Sequence, residues 1–336
     1  MNKKPVKLLS LFSGIGAYEQ AFKNKGYEID LVGFSEINKY AVQSYRNIYG
    51  VSEDKCLGDI TKIDISSLPT DIDSITHGSP CTSFSISGKQ AGGDKGSGTP
   101  SSLMWYTVDI VEHCKPKVVI WENVKNVLSK KHKHNFDGYL EDMDKLGYSN
   151  YYQVLNAKDY GIPQNRERIF VVSIRKDVDK GYTFPKQQEL TLRLKDILED
   201  QVNEKYYINK TWKYSTKDKH DVNEIAQIEG INYKVVRSIT DVNKVCRCLD
   251  TMGGGQREPK ILEPVKTDTG VAVSKDNEYR IRKLTPRECW RLMGFTDEQF
   301  DKAAEVCSNT QLYKQAGNSI VVNVLEEIFK NMTVII

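Results

Sequence analysis

Val6-Lys7-Leu8-Leu9-Ser10-Leu11-Phe12-Ser13-Gly14-Ile15-Gly16-Ala17-Tyr18-Glu19-Gln20-Ala21-Phe22 is the stretch on which the fold turns. Val6–Phe12 reads as a buried strand that breaks at Ser13-Gly14-Ile15-Gly16. A helix follows from Ala17 to about Lys25, with Tyr18, Ala21 and Phe22 on one side. Strand, glycine turn and helix form a fragment of the dinucleotide-binding fingerprint. Glu36 stands 20 residues past Gly16, at the end of the next strand, where an acid grips a ribose hydroxyl pair. The third fingerprint glycine is replaced by Glu19. A carboxylate opening the helix opposes a pyrophosphate and tolerates a cation. This favours a nucleoside cofactor without phosphates, such as S-adenosylmethionine, over NAD or FAD. A plain strand-to-helix turn with chance glycines is the alternative at this point.

Outward from that turn, Ile29–Phe34, Cys56–Ile60, Ile72–Thr76, Val118–Trp121 and Ile169–Ile174 read as further strands, with helices through Tyr40–Tyr45 and Leu103–His113. This alternation predicts an α/β fold, a mostly parallel sheet with helices on both faces. After about residue 188 the chain becomes polar and weakly periodic, and residues 176–280 carry 19 basic and 18 acidic side chains. Periodicity returns in Leu284–Met293 and Ile320–Phe329. The expected organisation is therefore 1–188, a separate irregular module over 189–280, and a segment 281–336 returning to the first domain.

Composition bounds the function classes. The 336 residues include 48 Lys plus Arg against 45 Asp plus Glu, a net charge of +3, so charge alone does not indicate a nucleic-acid partner. No apolar run approaches the ~18 residues of a membrane span, and the N-terminus lacks the pattern of a secretory signal. Seven scattered cysteines argue for reduced thiols in the cytoplasm rather than a disulfide framework, and no His or Cys spacing predicts a metal site.

Three segments carry chemistry. Gly78-Ser79-Pro80-Cys81-Thr82-Ser83-Phe84-Ser85 follows a strand at the sheet edge where open α/β folds bind ligands, which makes Cys81 a candidate nucleophile rather than a packing thiol. Trp121-Glu122-Asn123-Val124 places Glu122 at the same edge, as a proton donor or a helix cap. In Gln164-Asn165-Arg166-Glu167-Arg168 the two arginines, two residues apart on an extended segment, would share one face and reach one ligand, or line a solvated edge. Asp59 could accept from an exocyclic amine or serve as a turn residue. Gln315-Ala316-Gly317-Asn318-Ser319 reads as the opening of a helix, whose free N–H groups could complete a pocket.

In this order, FSGIG, GSPCTSFS, ENV, QNRER, LTPRECWRLMGF and QAGNS resemble the DNA (cytosine-5)-methyltransferases, in particular the compact bacterial and phage type that accompanies restriction systems. The resemblance runs from Leu9 to about Phe329. It implies a Rossmann-like S-adenosylmethionine-dependent sheet with a smaller, irregular, mainly β target-recognition domain. Phe12, Gly14, Gly16, Glu36, Ile37, Asp59, Ile60, Pro80, Asn318 and Ser319 would line the S-adenosyl-L-methionine pocket. Cys81 would be the nucleophile, with Glu122, Arg166 and Arg168 around the target base. Ser85 and Ser87 fall in the loop that closes over DNA. Gln256 and Arg257, in the glycine-rich stretch of the second module, suit contacts to base edges in double-stranded DNA. A monomer is expected, with no membrane association and no stable complex with any cognate restriction endonuclease. The nearest rival is a cytosine-5 methyltransferase acting on tRNA, but that branch carries a Cys-Phe-Thr tripeptide absent here. A Rossmann oxidoreductase leaves Pro80-Cys81 with Glu122 unexplained, and a non-catalytic DNA-binding regulator has no use for them.

Overall fold

The computed structural model describes residues 4–85, 90–215, 223–264 and 279–332. In chain order the first elements are β1 (Val6–Leu11), α1 (Ala17–Asn24), β2 (Ile29–Ser35), α2 (Lys39–Tyr49), β3 (Ser74–His77), α3 (Met104–Cys114), β4 (Val118–Val124), α4 (Lys133–Lys145), β5 (Tyr148–Asn156), β6 (Gln164–Asn165) and β7 (Glu167–Arg175). Then come β8 (Tyr207–Ile208), β9 (Trp212–Tyr214), β10 (Glu224–Ile228), α5 (Lys234–Arg237), β11 (Ser238–Thr240), β12 (Cys246–Arg247), β13 (Lys260–Pro264) and β14 (Tyr279–Lys283). Four helices follow, α6 (Pro286–Arg291), α7 (Asp297–Val306), α8 (Asn309–Asn318) and α9 (Val322–Lys330).

The chain divides into two units. The first holds residues 1–156, 167–187 and 320–336, the second 157–166 and 188–319. In the first unit six strands run in the order β2-β1-β3-β4-β7-β5. β2, β1, β3 and β4 are parallel, while β7 runs antiparallel to β4 and to β5. Leu9, Leu11, Ile75, Val119 and Trp121 are buried in the sheet beneath Trp105, Val108 and Val111 of α3 and Phe136 and Tyr139 of α4. α9 packs on α1, where the Phe22 and Phe329 rings stack at 4.1 Å.

The second unit is built on the sheet β8-β14-β13-β11-β10-β9 around a small core of Ala226, Ile228, Ile239, Leu262 and Ile281. α6 begins with a capping box in which Thr285 and Glu288 satisfy each other's backbone N–H. The Glu288 carboxylate also takes both Nη groups of the buried Arg282 at 2.8 Å.

The sequence reading misses the observed structure in four places. Cys56–Ile60 is not a strand. It makes only a single bridge, Phe34 to Cys56, because Gly58 turns left-handed at φ +65° and Asp59 then caps a short 3-10 turn. Tyr148–Asn156 is a strand that the pattern did not announce, since this edge position alternates only weakly between buried and exposed. Residues 281–319 group with the second unit, and the return to the first begins at Ile320. Gln315–Ser319 closes a helix rather than opening one. Gly317 sits in the last turn of α8, where an added Cβ would lie 1.9 Å from the Asp250 carbonyl oxygen. Among the described residues, no helix is long and apolar enough to cross a membrane.

Candidate active site

At the carboxyl ends of β1 and β2 the backbone is drawn into a tight cradle. Phe12, Gly14 and Gly16 all take left-handed φ, at +53°, +55° and +80°. Gly16 must be glycine on two counts, its φ and the Tyr49 ring, which would lie 2.3 Å from a Cβ. Tyr49 Oη donates to the Gly16 carbonyl at 2.6 Å and so braces the turn from α2. Gly14 N donates to Glu36 Oε2 at 3.0 Å, and Asn38 N to Glu36 Oε1 at 2.7 Å. Burial pushes the Glu36 carboxyl up from its ordinary range, against the pull of these two N–H bonds. Ser35 Oγ donates to the Gly58 carbonyl at 2.7 Å and ties the third loop in. Asp59, in that loop, accepts from Thr61 N at 3.0 Å and Thr61 Oγ1 at 2.8 Å, which hold its pKa below the ordinary value. Ile60 is buried, whereas Ile37 is 75 % exposed beside Glu36.

Glu19 does not face the turn as a free carboxylate. It is buried under α2, accepts from Tyr45 Oη at 2.9 Å, and has its pKa raised by desolvation. The charge argument drawn from its position in the fingerprint therefore loses its physical basis.

The Cys81 loop leaves β3 and is locked from both sides. Ser79, before the thiol, receives Trp121 Nε1 on its Oγ at 3.0 Å and Asn123 Nδ2 on its carbonyl at 3.1 Å. Ser101, fully buried, donates to the Pro80 carbonyl at 2.7 Å and accepts from Ser83 N at 3.1 Å, so one hydroxyl brackets the cysteine. The Cys81 carbonyl caps a turn, accepting from Phe84 N and Ser85 N at 2.9 and 2.8 Å. The residue itself is half-buried. Ser87 lies outside the described residues.

Glu122 points from β4 toward the same loop, its Oε2 3.7 Å from where a Cβ on Gly78 would stand. Its Oε1 is 3.1 Å from Arg168 Nε on β7. Cys81, Glu122 and Arg168 are thus gathered at neighbouring strand ends of the first unit. Arg166 belongs to the second unit. It is buried there, donating to the carbonyls of Leu249 at 2.9 Å, Gly317 at 2.9 Å and Ser319 at 2.8 Å. Arg166 lies between β6 and β7, so the alternation of one continuous strand does not by itself set its side chain against that of Arg168. Asn318 is exposed and Ser319 buried, both at the end of α8 in the second unit. Gln256 and Arg257 are exposed in the loop between β12 and β13.

Sequence reasoning missed Ser79, Ser101 and Tyr49. Their signals were faint, a serine two residues before the thiol, a Ser-Ser pair after Thr99-Pro100, and a tyrosine closing α2.

The comparisons with known proteins agree with one another. Residues 6–334 match the family model described as C-5 cytosine-specific DNA methylase. The chain is 40 % identical to the type II methyltransferase M2.ScrFI of Lactococcus lactis subsp. cremoris, over 92 % of this chain and 80 % of that protein. It is 36 % identical to M.HhaI of Haemophilus parahaemolyticus, over 97 % and 94 %, and 35 % identical to the orphan methyltransferase M.SPBetaI of Bacillus phage SPbeta, over 97 % of each. Among solved structures, the fold is like that of S. pombe Dnmt2 methyltransferase, with a TM-score of 0.68 at 19 % identity, covering 97 % of both chains. The chain belongs to the C-5 cytosine-specific DNA methylase family.

Proposed function

We propose that this protein transfers a methyl group from S-adenosyl-L-methionine to C5 of a flipped-out cytosine in a specific double-stranded DNA sequence, through a covalent bond between Cys81 and C6. The observation that carries the reading is the convergence of a half-buried thiol, locked on both sides by Ser79 and Ser101, with the Glu122–Arg168 pair. Membership of a family described as a DNA methylase, with relatives named type II methyltransferases, supports the substrate class.

The residues at the sheet edge fit the methyl donor. Gly14 is left-handed with open space where a Cβ would stand, so a ligand can approach its backbone. Glu36 holds its carboxylate with one backbone bond on each oxygen, leaving lone pairs for ribose hydroxyls, and exposed Ile37 offers an apolar face to adenine. S-adenosyl-L-methionine supplies an electrophilic methyl carbon.

The chain's own residues supply the rest. Cytosine C5 is too electron-poor to take the methyl directly, so the Cys81 thiolate adds at C6 and makes C5 nucleophilic. Glu122 holds N3 and the exocyclic amine as charge builds on the ring, and Arg168 holds O2. After transfer the C5 proton leaves to solvent, the Cys81–C6 bond breaks, and the aromatic ring and the thiolate are restored. Arg166, enclosed by carbonyls, acts by holding structure. The reading adds that Ser85, Ser87, Gln256 and Arg257 contact DNA. It also has the protein acting as a cytoplasmic monomer without a stably bound endonuclease.

Bisulfite sequencing of DNA from cells expressing the protein tests this. Methylated cytosines in one sequence context are expected, and none with Cys81→Ser, which should still bind the donor. Modified tRNA with unmodified DNA would replace this reading with the rival.

A further inference from the structure

The loop Cys248–Glu258 is held from inside by three cations. Arg166 Nη1 donates to the Leu249 carbonyl at 2.9 Å. Arg247 Nη1 donates to the Cys248 carbonyl at 3.1 Å and its Nη2 to the Arg257 carbonyl. Lys260 Nζ donates to the carbonyls of Gln256 at 2.6 Å and Glu258 at 3.0 Å. Five carbonyls of an eleven-residue stretch are thus collected by basic side chains of the same unit.

The loop needs such holding. Met252 and Gln256 take left-handed φ of +45° and +56°, a conformation that costs a side-chain-bearing residue about 1 kcal/mol or more. With the backbone of 256–258 drawn inward, Gln256 and Arg257 remain exposed. Lys260 has no exposed surface at all. Packing alone would be served better by an apolar side chain, since burying an ammonium is expensive unless it is hydrogen-bonded.

We propose that Lys260 is a specificity-determining positioning residue: together with Arg247 it fixes the 256–258 backbone before DNA arrives, so that Gln256 and Arg257 meet base edges in one arrangement. This rests on the reading that the second unit reads DNA. A preformed loop pays little ordering cost for the correct site and cannot adjust to a wrong one, so rigidity converts directly into discrimination.

The test uses the full-length protein and DNA duplexes carrying either the site found by bisulfite sequencing or that site with one base changed. Lys260→Met should lower the ratio of methylation rates between them at least tenfold, mainly by raising KM for the correct site, with donor binding unchanged. Lys260→Arg, which keeps the cation, should restore most of the ratio. A ratio within twofold of wild type for Lys260→Met would overturn the proposal while leaving the enzyme's function standing. Wild-type protein that methylates no DNA would instead remove the functional reading beneath it. If Lys260→Met does not fold, Arg247→Lys keeps charge but loses the fork on two carbonyls, and it should lower the same ratio. An unchanged ratio there counts equally against the proposal.

Discussion

Arg168 Nε lies 3.1 Å from Glu122 Oε1 across the antiparallel pair β4 and β7, whose register sets Val124 opposite Arg168. The two side chains are only 17 % and 11 % exposed. Removing one partner of a pair this enclosed strands the other charge. Arg168→Met is therefore expected to cost about 3 kcal/mol of stability by urea titration. Glu122→Gln also leaves the Arg168 guanidinium without its counter-charge but keeps shape and a hydrogen-bonding oxygen, so it should cost less stability than Arg168→Met while slowing methyl transfer about 100-fold. A Glu122→Gln enzyme with wild-type turnover would remove Glu122 from the chemistry.

Ser101 spans the thiol by bonding Pro80 O and Ser83 N. Ser101→Ala should lower the single-turnover rate at least tenfold and destabilise by about 1–2 kcal/mol. Its neighbour Ser102, whose Oγ donates to Thr99 O, serves as the control. Equal rates for the two alanine variants would show that the bracket does not position Cys81.

The seven thiols divide by burial. Cys114 and Cys246 are pushed up to about 11 and about 12, and Cys289 is raised well above its ordinary value, all by desolvation first. At pH 8 an alkylating reagent should leave these three unmodified in the native protein while half-buried Cys81 reacts. Peptide mapping after limited alkylation, with and without donor and DNA, reads this out directly. Early modification of Cys246 or Cys289 would show that the second unit opens under native conditions.

His77 closes β3 with no exposed surface, its Nε2 hydrogen-bonded to Tyr139 Oη at 3.1 Å, and burial lowers its pKa to about 3. The unfolded chain binds this proton near pH 6.5, so the folded protein takes it up later as pH falls. The stability this provides is complete above pH 6.5 and drains away between about 6.5 and 3. Urea titrations of wild type and His77→Gln at pH 7.5 and 5 should converge toward the acid end. Parallel pH profiles would mean that His77 does not titrate on unfolding.

How much of this was readable beforehand depends on the range of the interactions. The strand–glycine–helix turn, the Cys81 loop and Glu122 are local patterns at strand ends, and the structure holds them where short-range reasoning put them. The partners of Arg166 lie beyond that range, because Leu249, Gly317 and Ser319 are 83, 151 and 153 residues away. Gln315–Ser319 looked like a helix start because Asn and Ser suit caps, yet they close a helix whose last turn brings Gly317 against the Asp250 backbone. Nothing in the local sequence sets Lys260 apart from the chain's other lysines, and it is the loop folded around it that buries the cation.

The chain crosses between its two units four times, at 156/157, 166/167, 187/188 and 319/320. α1 sits near the beginning of the sequence, yet its partner α9 arrives only after residue 320. A ribosome making this protein therefore holds an unfinished first unit until almost all of the described chain has emerged. Truncated products lack the helix that covers α1 and leave Phe22 without the Phe329 ring, so a chain that stalls partway is fit for degradation rather than for partial activity.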